Sequence, residues 1–244
     1  MPARSVAGLS TAAMVAIAVA ALADLLYAFE PLVPMWAVRE AAHRGGDTPG
    51  LVMWVATVSL VGVAVVAQLA AAVCTAIWLY RAAGNAHALG RLGWHPVLVV
   101  LAWWLPVANW VMPAVLTAMV AAAGGVRRWP VWAWWGTLVA GLVTLVVGTV
   151  LGGSAELDAL LARVADGATV DVARATELLG YEIAGRLPGA VLLVAAGVLG
   201  IVVVHLVTSA QYDRFDEVRV RPAIPRQRAG GSMTIVPADG TIGP

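Results

Sequence analysis

The chain has no lysine and one cysteine, and only 12% of its 244 residues are charged. Each shortage excludes something. A soluble domain carries about twice this share of charge, so the composition is not that of an ordinary water-facing surface. Cys74 has no intrachain partner, which rules out a disulfide framework and a cysteine metal site; inside an apolar run it reads as a small packing residue. All fifteen basic residues are arginine, which we read as the coding bias of a GC-rich genome. His43, His87, His95 and His205 show no zinc spacing such as HExxH. The apolar runs contain no GxSxG, no Walker loop and no paired carboxylates. Neither a catalytic residue nor a metal or cofactor site is expected, and a membrane-embedded enzyme is the weakest functional reading.

What the chain has in quantity is apolar length. Hydrophobic residues make up 61%, gathered in five blocks at residues 9–29, 51–80, 94–123, 131–151 and 187–210. About 20 helical residues cross a bilayer. None of the blocks alternates polar and apolar as a membrane barrel does. In lipid each must satisfy its own backbone, which makes it a helix. The expected fold is therefore an all-α, polytopic membrane bundle over residues 1–210, followed by a basic, largely disordered tail at 211–244. Scattered glycines, among them Gly141 and Gly148 two turns apart, suit close helix approach.

The first block also fits a signal peptide, with Arg4 as its basic end and Ala21-Leu22-Ala23 as a small-x-small pattern. The apolar run continues past that pattern through Phe29, and we expect an uncleaved anchor. Residues 154–186 read as two short amphipathic helices on the membrane surface, holding six acids and three arginines. Ser154 is placed to cap the first, Asp166-Gly167 separates the two, and a solvated cap is the simplest reading. The turn after the last block, QYDRFDEVR, extends its helix beyond the membrane.

The third block is interrupted. Pro106 and Pro113 each leave a carbonyl without its helical donor, dividing the block into halves of about 11 residues, roughly 16 Å each. Neither half crosses the roughly 30 Å of hydrocarbon. A re-entrant or sharply broken segment and a single kinked crossing helix are both compatible with this. Arginine in short loops favours the cytoplasmic side. If the third segment enters and leaves on one side, ten of the fifteen arginines fall together inside. This arrangement separates charge best and puts the C-terminus in the cytoplasm.

The candidate polar site spans the exit of the second block and the broken third. Trp78, Arg81 and Asn85 share one helical face. They read as an interfacial Trp, a snorkelling Arg and a C-cap, or as a group in which Arg81 holds a phosphate or other anion. Asn109, between the prolines Pro106 and Pro113, either satisfies the freed carbonyls or lines a polar cavity as broken transporter helices do. Asp24 reads as an interfacial acid beside Glu30 or as an intramembrane ion site. Gln68 and His205 read as interhelical hydrogen-bonders.

The run W-L-Y-R-x-x-x-N-x-x-x-L from Trp78 to Leu89, the following WWLPVANWVMP ending at Pro113, and the pair Trp134-Trp135 resemble a mainly actinobacterial membrane-protein family, the bacterial domain-of-unknown-function family 4328. The resemblance covers residues 51–211. It implies an integral membrane protein and supplies no established activity or catalytic residue. The expected function is that of a plasma-membrane structural or accessory protein. Its partners would be membrane lipids or other membrane proteins; nothing points to nucleic acid. The alternative is a small transporter or channel-like protein with its polar site at the broken segment.

Overall fold

The computed structural model describes residues 6–44, 50–104, 110–151, 156, 159 and 171–220. Among them every regular element is a helix: α1 (Ala7–Ala28), α2 (Leu32–Arg44), α3 (Gly50–Ala88), α4 (Val97–Trp104), α5 (Met112–Gly124), α6 (Trp129–Leu151) and α7 (Val172–Val220). Among the described residues four stretches are long and apolar enough to cross a membrane: Ala7–Trp36, Val58–Ala88, Trp129–Leu151 and Val172–Glu217. The protein is thus an all-helical, multi-pass membrane bundle.

Threonines inside these apolar helices satisfy themselves locally. The hydroxyls of Thr117, Thr137 and Thr149 donate to the carbonyls four residues earlier, at 2.6, 2.7 and 2.9 Å. That removes the cost of an unpaired hydroxyl in lipid.

The second block runs further than its apolar length implied. α3 continues to Ala88 and stops at Gly90, whose φ of 68° suits glycine. Asn85 therefore lies inside the helix, not at its cap. The third block is two short helices, α4 of 8 residues and α5 of 13. At 1.5 Å per residue these rise about 12 and 20 Å, short of a crossing. Pro113 opens α5, where its missing N–H costs nothing, and Gly125 closes it in the left-handed conformation (φ 86°). Pro106 and Asn109 lie outside the described residues.

The largest departure concerns the end of the chain. The second amphipathic segment, the fifth apolar block and the turn after it form one 49-residue helix, α7, which runs through Pro188. At about 74 Å it is more than twice the thickness of the hydrocarbon layer. Ser154 and most of the first amphipathic segment lie outside the described residues, as do residues 221–244 of the expected tail.

α7 is the axis of the bundle. It runs antiparallel to α6, and the seam is glycine-lined. A Cβ on Gly148 would overlap the carbonyl of Gly185, one on Gly189 would meet the backbone of Leu145, and one on Gly141 would come within 3.0 Å of Leu193. With no side chain in the way, the two backbones touch directly, which is how helices gain packing energy in lipid. α1 also runs antiparallel to α7, with Ala21 against Gly197, and α3 runs parallel to it, with Trp78 beside Thr208.

Candidate functional site

The ends of the broken third segment meet. The guanidinium of Arg91, just before α4, donates to the carbonyl of Ala123 at the end of α5, at 3.0 Å. α4 and α5 are therefore two arms of a hairpin that starts and finishes at one face of the bundle. The exit of α3 is at this face too. Trp78 is 1% exposed, and its indole donates to the Thr208 hydroxyl at 3.1 Å. One turn on, the Gln211 amide donates to the Ala82 carbonyl at 3.0 Å. The end of α5 packs on α7 at Gly124–Ala210 and Gly125–Arg214. The start of α1, the start of α6 and the end of α7 follow at the same face from the antiparallel packing. Arg81, Arg91, Arg127, Arg128 and Arg214 consequently share one end of the bundle. Arg91, Arg127 and Arg128 are exposed, whereas Arg81 is half-buried.

The opposite end carries a buried ionic cluster. Arg186, on α7 beside the Gly148–Gly185 crossing, donates to Glu30 at 2.9 Å and to Glu182 one turn back. Its third partner is Tyr27: the guanidinium carbon lies 4.8 Å from the ring centroid, and Nη1 reaches the Tyr27 carbonyl at 3.4 Å. Arg186, Glu30 and Glu182 are 5, 7 and 7% exposed. A single buried charge is costly, so the cluster holds only because opposite charges and hydrogen bonds meet in one place. Further out, half-buried Arg174 bridges exposed Glu156 and Glu177 at 2.7 and 2.8 Å, a contact of little energetic weight.

Between the two ends lies a cavity of about 430 Å³ among α1, α3, α6 and α7. Its walls are largely apolar, with Trp110, Trp134 and Trp135 on one side and Asp24, Gln68 and Thr75 supplying polar groups. The Gln68 amide donates to Oδ2 of Asp24 across the α1–α3 interface. Trp135 donates through its indole to the Trp110 carbonyl at 2.8 Å, tying the turn of the hairpin to α6, and it meets Trp134 edge-on at 5.7 Å.

No protein-family model, curated protein or solved structure matches this chain. The geometry alone therefore carries the functional argument.

The sequence-predicted residues separate into four places. Trp78 and Asn85 are buried at the α3 exit, with half-buried Arg81 beside them. Pro113 is buried at the start of α5. Asp24 and Gln68, from different helices, come together at the cavity, while His205 faces outward from α7 and is exposed. Sequence reasoning assigned Arg186 and Glu182 to a solvated cap, and the structure buries both. A signal was present: acid and arginine at i and i+4 directly before an apolar run, with Tyr27 and Glu30 at the matching end of the first block.

Proposed function

We propose that this protein is an accessory component of the plasma membrane that acts through contacts with anionic lipid. Its arginine-bearing face, with the C-terminal end of α7, faces the cytoplasm. The observation that carries this reading is the Arg91–Ala123 contact at 3.0 Å. It returns the hairpin to the face it left, and so gathers Arg91, Arg127, Arg128 and Arg214 at one membrane surface. Juxtamembrane arginines attract anionic headgroups with about 1 kcal/mol each, and exposed Trp129 and Trp132 beside them suit the interfacial belt. The resemblance of the Trp78–Leu89 and WWLPVANWVMP runs to domain-of-unknown-function family 4328 supports an integral membrane protein and assigns no activity; other membrane proteins are its further candidate partners.

The test is reconstitution in phosphatidylcholine nanodiscs with and without phosphatidylglycerol. The anionic lipid should raise the melting temperature of the wild-type protein, and Arg127→Gln with Arg128→Gln should remove about half of the increment. Equal melting temperatures in both bilayers would refute the lipid-contact reading.

A second reading, a small transporter or channel-like protein, is favoured by Trp110. This residue of the broken segment lines the same cavity as Asp24 and Gln68, which couples the break to a polar position inside the bundle.

A further inference from the structure

We propose that the cavity between α1, α3, α6 and α7 binds a lipophilic organic cation. The Asp24 carboxylate holds the positive charge, and Trp110, Trp134 and Trp135 hold the apolar body.

The argument begins with a contrast between buried acids. Glu30 and Glu182 share the guanidinium of Arg186. Asp24, 6% exposed and within a membrane-spanning helix, has the Gln68 amide as its hydrogen-bond donor. An amide brings no charge. Ionisable groups at such positions are costly and mark functional sites unless something neutralises them. Asp24 also lines a cavity, where a neutralising cation has room to sit.

The walls choose the kind of cation. An inorganic ion needs several oxygen ligands at short range, and Asp24 belongs to no group of three or more His, Cys, Asp or Glu side chains among the described residues. The volume of about 430 Å³ is that of a site for an organic molecule. Indole faces attract organic cations through the ring quadrupole, most strongly when water is excluded. The way in is lateral. Leu69 and Leu142 both line the cavity and are 61 and 36% exposed on the outer surface of the bundle, so the mouth opens toward the lipid. A molecule dissolved in the bilayer would reach it directly.

This inference rests on the cavity and is independent of the anionic-lipid reading. The test uses purified full-length protein in nanodiscs and tetraphenylphosphonium as the probe, with binding followed by equilibrium dialysis. Tetraphenylborate, of nearly the same shape and opposite charge, is the control. The wild-type protein should bind the cation saturably and prefer it over the anion. Asp24→Asn, which keeps an acceptor for Gln68, should weaken cation binding at least about tenfold, a difference of one decade in Kd. Asp24→Glu should retain binding. Ala72→Phe, which fills the cavity and leaves the carboxylate in place, should abolish it, so the outcome does not depend on one variant folding. Failure of the wild-type protein to bind the cation, equal binding of both probes, or undiminished binding by Asp24→Asn would each overturn the proposal.

Discussion

Arg186 and Glu30 stand 156 residues apart in the chain, and their side chains meet at 2.9 Å. The contact ties the end of α1 to α7 at the level where α7 touches α6 through Gly148 and Gly185. With Glu182 on the same guanidinium, one arginine pairs with two buried carboxylates.

Removing that arginine should therefore cost more than removing the whole cluster. Arg186→Met takes the guanidinium away from buried Glu30 and Glu182, and breaking a buried pair from one side costs about 3–5 kcal/mol. The triple variant Arg186→Met, Glu30→Gln, Glu182→Gln leaves no charge to desolvate and should recover most of the loss. Thermal unfolding of the detergent-solubilised variants measures both. A triple variant no more stable than Arg186→Met would mean that the charges are not what the arginine compensates.

The glycines should respond according to their surroundings and not to their helical position. Gly148→Ala forces α6 away from Gly185, and overpacking of this kind costs about 1–3 kcal/mol. Gly62, in α3, has open space where a Cβ would go; Gly62→Ala should be neutral or stabilise by up to about 1 kcal/mol, the helix-propensity difference. Melting temperatures of the two variants should move apart, and a common shift would argue against backbone contact at the α6–α7 seam.

The hairpin predicts the sidedness of labelling. On a Cys74→Ser background, cysteines at Gly93 and Arg127, both exposed and flanking the broken segment, should react with an impermeant maleimide from the same side of sealed vesicles. A cysteine at Arg39, exposed in α2 at the other end of the bundle, should react from the opposite side. Reaction at 93 and 127 from opposite sides would require the third segment to cross.

The Trp78–Thr208 hydrogen bond should be worth little in spite of its burial. Interhelical hydrogen bonds in membrane proteins average about 0.6 kcal/mol because the unfolded chain in lipid also finds partners. A double-mutant cycle with Trp78→Phe and Thr208→Val isolates the pair from the packing lost with the indole. The coupling should stay below about 2 kcal/mol, with most of the Trp78→Phe loss coming from packing.

Much of the architecture was legible in the residues. Apolar length identified the crossing helices, Pro106 and Pro113 pointed to an interrupted third block, and the arginine distribution pointed to its return to one side. The errors lay where charge was read as a sign of exposure. Glu182 and Arg186 look like part of a solvated cap because they stand among acids and arginines, just ahead of the fifth apolar block. α7 nonetheless continues through Pro188, with Gly185 and Gly189 on either side of the proline packed on α6. The candidate site was half legible: Asp24 and Gln68 each stood out as polar residues in apolar helices, but nothing in their spacing marked them as partners.

That division has a physical cause. In a bilayer, the need for apolar length and for internally satisfied backbone is met segment by segment, so the sequence by itself determined that this is a helical membrane protein and where most of its helices lie. Which polar groups meet depends on how each helix is rotated and at what height it sits against its neighbours. Only the tertiary structure decided that Arg186 compensates Glu30, that the two arms of the third segment return to one face, and that Asp24 opens onto a tryptophan-walled cavity.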